Sequence, residues 1–289
     1  TPTATPTSTS TPLPTATATP TAVPTPLPLS LDVRLSASVL QQGHTGVVRV
    51  STSRATTVMG VIDGRPLSFA TTDGREHIGM LGVHALADPG EQELSLTARA
   101  DDGEVHLVTT LQVVEGDYPS ETLSFSPEVS ELLEAETMRA EEVRMAEWFA
   151  TWTPQVQWSG PFRWPVESVV TSVFGSRRNY AGRFLSYHAG IDLRGLTGTP
   201  VYAPAPGTVI VVEPLMVRGN AVLVDHGAGV ISGFFHLSEF SVVEGQTVDQ
   251  GDQIGLVGAT GLVTGSHLHW ELRVGGIAVE PREWVESGF

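Results

Sequence analysis

The sequence predicts a mainly β protein, and three observations support this fold class. Short runs of alternating apolar and polar residues recur between turn signals from residue 31 to about residue 116. In the last third of the chain, glycine-punctuated runs such as GTPVYAPAPGTV and GDQIGLVGATG indicate a second β region. A single segment, residues 126–152, has the apolar spacing of a helix.

Residues 1–30 differ from the rest of the chain in composition. They contain 11 Thr, 8 Pro and no charged residue, which cannot bury a core and favours extended conformations. We therefore predict a disordered stalk, either a plain flexible linker or one that carries O-linked glycans. The chain shows no signal peptide or membrane span, so we expect that an export signal was removed or lies before the first residue.

Residues 31–118 are predicted to form an immunoglobulin-like β sandwich. About seven short segments alternate between turn signals, and in EVHLVTTLQVV every second residue from Val105 to Val113 shares one face. Two functions stay open for this domain: a spacer or support module, which we favour, and a module that binds a wall component or a protein partner. Its four histidines lack the spacing of metal ligands; they are His44, His77, His84 and His106.

Residues 126–152 are predicted to form a connecting helix. Ser126 is a candidate N-cap, Pro127 suits the first helical position, and acidic residues are frequent in the first turns. We favour a helix that packs along the next domain over one that swings across its groove. Four tryptophans accompany this junction and indicate a docking core rather than a glycan platform; they are Trp148, Trp152, Trp158 and Trp164.

Composition excludes several functions. The chain has no cysteine, which excludes disulfides, thiol nucleophiles and cysteine zinc sites, so any zinc must be held by histidine and carboxylate. All 16 basic residues are arginine, and the absence of lysine excludes a lipoyl or biotinyl carrier, whose β hammerhead has similar glycine-rich runs. The net charge of −16 argues against nucleic-acid binding and against electrostatic adhesion to anionic wall polymers.

The candidate chemistry is concentrated in the runs HAGID, FFHLS and SHLHW. These contain His188, Asp192, His236, His267 and His269. Side chains two apart on a strand project to one face, and we expect the first histidine and aspartate to lie on one side as well, so three ligands can converge. Zinc with three protein ligands keeps a position for water, which is typical of hydrolytic sites, although other divalent ions also fit these donors.

Six ordered motifs extend this interpretation. FGSRR, HAGIDLRGLTGTPVYAPAPGTV, GNAVLVDHG, FFHLS, GQTVDQGDQIGLVGATG and GSHLHWEL together resemble the lysostaphin/LytM-type zinc metalloendopeptidases, over roughly residues 160–285. The resemblance implies a zinc metalloendopeptidase domain over residues 155–289. It also implies that this domain is an antiparallel β sandwich of the duplicated hybrid motif type.

The resemblance also implies roles for individual residues. His188, Asp192 and His269 would bind one Zn²⁺, while His236 and His267 would serve as general base and transition-state stabiliser, with His267 slightly favoured as the base. The family usually has Tyr-Ala before the histidine of FFHLS, so a tyrosine hydroxyl is missing here, but no ligand or base is lost.

Two further polar residues have competing interpretations. His226, in VDHG, is interpreted as the end of a hairpin in preference to a catalytic group. Arg177, in FGSRR, could contact a substrate carboxylate or an oxyanion, and a structural salt bridge is an equal alternative.

The resemblance therefore predicts an endopeptidase that hydrolyses cross-links or stem peptides of bacterial peptidoglycan, with zinc-activated water as nucleophile. We expect a monomer that lies outside the cell or in the bacterial envelope. The first alternative is a catalytically silent wall-binding or regulatory relative. The second is a histidine phosphocarrier, which the stalk and the complete His/Asp/His set disfavour.

Overall fold

The structure is a computed structural model that describes residues 28–123, 135–180 and 183–289. Within these ranges strands predominate and two helices are present, which confirms the predicted mainly β fold class. Most of the predicted stalk and the predicted start of the connecting helix lie outside the described residues.

The amino-terminal region consists of two sheets. Its strands are β1 Leu31–Leu35, β2 Val39–Gln41, β3 Thr45–Thr52, β4 Thr57–Ile62, β5 Arg65–Ser68, β6 Ala70–Thr71, β7 Glu76–Gly82, β8 Gly90–Ala100 and β9 Gly103–Val114. One sheet has the order β1-β3-β7-β6 and the other β2-β9-β8-β4-β5. Both sheets contribute to one apolar core, for example through Val50 and Leu96. The immunoglobulin-like type and the limits 31–118 stay predictions.

Strand β9 shows how the residue pattern determines the core. Its side chains alternate along the strand, and the every-second-residue set ends in Leu111 and Val113, which are 2% and 0% exposed. Val108, on the opposite face, is 61% exposed. The face predicted from EVHLVTTLQVV is therefore confirmed as the inward one.

The carboxy-terminal region is built on a ten-stranded sheet. The remaining strands are β10 Ser120–Leu123, β11 Val170–Ser172, β12 Arg177–Tyr180, β13 Arg183–Tyr187, β14 Gly190–Arg194, β15 Pro200–Tyr202, β16 Gly207–Pro214, β17 Asn220–Gly227, β18 Val230–Phe240, β19 Thr247–Val248, β20 Gln253–Val257, β21 His267–Val274 and β22 Ile277–Val279. The main path is β11-β14-β21-β18-β17-β16-β19, with β15, β20 and β22 attached at its sides. A separate sheet has the order β10-β12-β13.

The two helices are α1 Ala135–Phe149 and α2 Pro281–Glu286. Helix α1 buries Met145 and Phe149 against apolar side chains of β16, β17 and β18. It ends three residues before the predicted limit of 152. Pro154 disfavours helical backbone at Thr153, whose carbonyl instead accepts a hydrogen bond from Ala228 N at 2.7 Å. Neither described helix is long and apolar enough to cross a membrane.

A continuous core joins the two β regions. Val47 and Met80 of the amino-terminal region belong to the same buried cluster as Trp284 of α2. Trp284 Nε1 donates to Thr45 Oγ1 at 3.0 Å, and Thr45 N donates to a Glu283 carboxylate oxygen at 3.0 Å. We call this contact region the seam. Because it buries apolar surface of both regions, the amino-terminal domain is held against the carboxy-terminal one.

Candidate metal centre and adjoining histidines

Strand register brings the candidate ligands together. Strands β14, β21 and β18 are neighbours, and Asp192 of β14 lies directly opposite His269 of β21. His269 in turn lies opposite Phe235 of β18, so His236 follows at the next position. His188 lies two residues before β14. The site is thus assembled across three adjacent strands from motifs far apart in the sequence.

The three residues predicted as ligands form a tight triangle. His188 Nε2 lies 3.0 Å from Asp192 Oδ1 and 2.9 Å from His269 Nδ1. The third side, from His269 Nδ1 to Asp192 Oδ1, is 2.8 Å. One donor atom of each side chain therefore faces a common point.

The outer ring nitrogens determine which atoms of this triangle carry protons. His188 Nδ1 lies 3.0 Å from the Val173 carbonyl oxygen, which can only accept, so this nitrogen carries the proton. His269 Nε2 lies 3.2 Å from a carboxylate oxygen of Glu271 and donates to it in the same way. In the neutral rings, His188 Nε2 and His269 Nδ1 then present lone pairs to each other and to Asp192.

Three converging lone pairs match the requirements of a divalent cation. Two imidazole nitrogens and one carboxylate oxygen form a donor set that zinc accepts, and each histidine is oriented by a hydrogen bond on its far side. Among the described residues, these three side chains form the one such group.

The two remaining histidines lie beside this triangle. The ring centroids of His236 and His267 are 5.0 Å apart, and His267 Nε2 is 3.7 Å from Asp192 Oδ1. His236 Nδ1 donates to the Thr260 carbonyl at 2.8 Å, and His267 Nδ1 donates to the Gly265 carbonyl at 2.9 Å. Each neutral ring is therefore left with an Nε2 that accepts a hydrogen bond.

His236 is held in an unusual environment. Its backbone φ is 61°, in the left-handed region that non-glycine residues seldom adopt. Burial, together with the neighbouring rings of His269 and His267, lowers its pKa to about 3, so the ring is neutral. A strained backbone around a polar side chain is a feature of functional sites.

The arginine nearest the triangle is not the one that the sequence indicated. Arg178 pairs with Glu121 of β10 at 2.8 Å, and its guanidinium lies 3.6 Å from Asp192 Oδ2. Arg177 is the preceding residue on β12, where side chains alternate between faces. The role suggested for Arg177 stays a prediction, and Arg178 is an additional residue of the site.

A buried charge network supports the site behind His269. Glu271 is 2% exposed and accepts from Arg273 at 2.8 Å, and Arg218 Nε lies 4.0 Å away. Burial alone would raise the pKa of Glu271, but Arg273, His269 and Arg218 hold it well below its usual range. Sequence reasoning missed Glu271, although its position two residues after His269 on one strand face was a usable signal. Arg218 offered no such signal, because it lies outside the six ordered motifs and outside the runs HAGID, FFHLS and SHLHW.

His226 has contacts of a different kind. Its Nδ1 donates to the Pro206 carbonyl at 2.7 Å, its Nε2 lies 2.9 Å from Ser232 Oγ, and Phe162 packs against the ring. Burial lowers its pKa to about 4. These contacts fix the end of the β17–β18 hairpin and include none of the triangle residues.

Comparisons with known sequences place the carboxy-terminal region in a family. Residues 186–281 match the profile of peptidase family M23. The peptidoglycan DD-endopeptidase ShyA of Vibrio cholerae is 40% identical over 117 residues, which cover 39% of this chain and 27% of that protein. The DD-carboxypeptidase/endopeptidase Mpg of Neisseria meningitidis is 42% identical over 112 residues, which cover 39% of this chain and 26% of that protein. The chain thus spans about a quarter of the length of these relatives.

A structural comparison extends the likeness to more of the chain. A crystal structure from Pseudomonas aeruginosa, provisionally named a peptidase M23, superimposes with a TM-score of 0.62 at 27% identity. The match covers 84% of this chain and 93% of that one, so it includes strands before the family segment. Through residues 186–281 the chain belongs to peptidase family M23, the family that its ordered motifs predict.

Proposed function

We propose that this protein is a zinc-dependent endopeptidase that hydrolyses peptide cross-links or stem peptides of bacterial peptidoglycan. The observation that carries the proposal is the convergence of His188 Nε2, Asp192 Oδ1 and His269 Nδ1 within 3.0 Å of one another. The substrate class is supported by the relatives named peptidoglycan DD-endopeptidase and DD-carboxypeptidase/endopeptidase. These relatives also support a location outside the cell or in its envelope.

The three triangle residues would hold the metal. When bound, zinc supplies Lewis acidity, which polarises a peptide carbonyl and makes water more acidic. The hydrogen bonds from His188 to Val173 and from His269 to Glu271 keep the two rings in the tautomers that offer lone pairs inward.

The two adjoining histidines would divide the proton chemistry. His267 takes the proton of the attacking water, because its ring is partly exposed and its Nε2, which is left to accept, lies beside the triangle, 3.7 Å from Asp192 Oδ1. His236, whose neutral Nε2 only accepts, orients that water. This differs from the oxyanion-stabilising role that the family resemblance offers, since a donor at Nε2 would need the buried ring to be charged.

The experiment that tests the proposal uses the full chain on purified bacterial sacculi. New amino termini are counted with zinc present, after chelation and after zinc is restored. We expect release that stops with the chelator and returns with zinc. No release from sacculi with several cross-bridge types, at full zinc occupancy, would favour the silent wall-binding alternative. The same sacculi are then washed, and protein that stays bound to them would identify the wall-binding alternative.

A further inference from the structure

Helix α1 places a buried carboxylate against the catalytic domain. Glu141 is 6% exposed, and its oxygens accept from Val217 N at 2.8 Å and from Arg218 N at 2.9 Å. The guanidinium of Arg218 lies 3.3 Å from the same carboxylate. A buried carboxylate that satisfies two backbone donors and one cation fixes the segment that supplies them. That segment is the turn between β16 and β17, residues 215–219, which we call the β16–β17 turn.

The β16–β17 turn holds the backbone of His236. The Arg218 carbonyl accepts from His236 N at 3.0 Å, at the point where the backbone of His236 takes its left-handed φ of 61°. Such a conformation persists only where the surroundings impose it. The hydrogen bond to Arg218 is therefore one of the contacts that impose it.

The same turn supports the segment that anchors the His236 ring. His236 Nδ1 donates to the Thr260 carbonyl. Thr260 Oγ1 accepts from Asn220 N at 2.9 Å, and Leu262 N donates to the Val217 carbonyl at 2.7 Å. Both anchors of His236, its backbone and its ring, thus depend on the turn that Glu141 fixes.

A second connection leads from the turn to the metal triangle. The guanidinium of Arg218 lies 5.9 Å over the ring of Phe235 and 4.0 Å from Glu271. The ring centroids of Phe235 and His269 are 5.6 Å apart, and Glu271 accepts a hydrogen bond from His269 Nε2. Displacement of Arg218 would loosen both neighbours of His269.

We propose that Glu141 is a positioning residue for the hydrolytic site, so that the connecting helix is a working part of the catalytic unit. The inference rests on the proposed peptidase function. Glu141 bonds to the β16–β17 turn and not to the three triangle residues, and it acts through this turn on His236. Its removal would leave the chemistry of each side chain intact and disturb where the His236 ring lies.

The chain offers a matched control. Glu142 bonds the same guanidinium at 2.9 Å but is exposed and accepts no backbone hydrogen bond from the turn. Met145 lies one turn further along the same helix face, in an apolar cluster that includes Leu215 of the turn and Phe235, and it offers the turn no carboxylate. Glu142→Gln tests whether loss of charge near Arg218 is sufficient, and Met145→Ala tests whether loss of helix packing is sufficient.

The test compares these variants in the full chain, on a soluble cross-linked peptide that the wild type cleaves. We expect Glu141→Gln to lower kcat by about tenfold, with KM and bound zinc within about twofold of wild type, because a small misplacement of a proton-handling group is costly. Glu141→Asp, whose shorter side chain retains the charge, should lose part of the rate. Glu142→Gln should keep the wild-type rate, and Met145→Ala, at a temperature where it is folded, should lose less of the rate than Glu141→Gln.

A second readout does not depend on catalysis. Imidazole nitrogen NMR signals of His236 should move in Glu141→Gln and stay in place in Glu142→Gln. A wild-type rate together with unchanged His236 signals in Glu141→Gln would overturn the inference. So would an equal loss of rate in Glu141→Gln and Met145→Ala when the two variants have the same melting temperature. An inactive wild type would instead count against the peptidase function, and the NMR comparison would still decide the role of Glu141.

Discussion

The histidines of the two β regions are used differently. The amino-terminal region holds four, in separate places: His44 lies 3.3 Å from a Glu283 carboxylate oxygen, His77 bonds Gly74, His84 bonds Tyr187 and His106 bonds Thr97. Four of the five in the carboxy-terminal region surround one point; they are His188, His236, His267 and His269. The two regions contain nearly the same number of histidines. The site is therefore distinguished by the strands on which its histidines lie.

Strand order accounts for this difference. His77 and His106 lie on β7 and β9, which belong to different sheets. In the carboxy-terminal region β14, β21 and β18 are adjacent, and register places Asp192 opposite His269. Side chains of cross-strand neighbours on one face of a sheet are within contact distance of each other. Side chains at scattered positions on separate sheets are not.

Substitution of a triangle residue should have the largest effect and tests whether the histidines of the two regions differ in function. We expect His269→Ala to lose both zinc and peptidase activity, by at least about a thousandfold in rate, because two remaining donors cannot hold the ion in place. Zinc is measured by elemental analysis after dialysis. His106→Ala, on an exposed face of the amino-terminal region, should leave both unchanged. Full zinc retention in His269→Ala would contradict the ligand assignment.

The next effect separates binding from chemistry within the site. His267→Ala should keep zinc but lower kcat by about a hundredfold or more, because the water loses its proton acceptor. The same dialysis and peptide assays measure both quantities. Loss of zinc in this variant would place His267 among the ligands and remove it as the base.

A smaller effect concerns stability, through the buried His226. Its pKa falls from 6.5 to about 4 on folding, so between these values the unfolded chain binds the extra proton. His226 alone should therefore lower the free energy of unfolding by about 3 kcal/mol as pH drops from about 6.5 to about 4, and buried His236, whose pKa is about 3, adds to the same slope. Urea unfolding across this range measures the slope, and His226→Gln should make it shallower. An equal slope in that variant would refute the assignment to His226.

The smallest effect concerns the seam. Thr45→Val removes the acceptor of Trp284 Nε1 and leaves a buried indole N–H without its partner. We expect a loss of about 1–3 kcal/mol in the free energy of unfolding. Thr97→Val, at an outward-facing position of β8, is the control and should change stability little. Equal stabilities of the two variants would argue that the seam bond contributes nothing.

The sequence predicted those parts of the molecule whose signal is local. Alternation identified the inward face of β9, and the ordered motifs identified the family and the three residues that the structure brings within 3.0 Å. Each of these signals lies within a short run of residues, where spacing translates directly into a shared face.

The rest depended on contacts between distant parts of the chain. Glu141 and Arg218 are 77 residues apart, and neither lies in a motif with chemical meaning of its own. Arg178 and Arg177 are adjacent and of one type, so composition could not tell which side chain reaches Asp192. Helix α1 ended before its predicted limit of 152; Pro154 was a local signal for that earlier end, whereas the hydrogen bond between Thr153 and Ala228 could not be seen in the sequence.

Because the seam joins the two β regions, we expect the smallest fragment that folds on its own to include both of them. A fragment of residues 155–289 would keep every triangle residue but lose Val47 and Met80 from the cluster around Trp284. It would also lose helix α1, which covers Phe235 and neighbouring apolar side chains. Such a fragment would expose two apolar surfaces and tend to aggregate. We therefore expect the unit that unfolds cooperatively to be larger than the domain that sequence comparison recognises, and heating the whole chain should give one calorimetric transition spanning both β regions.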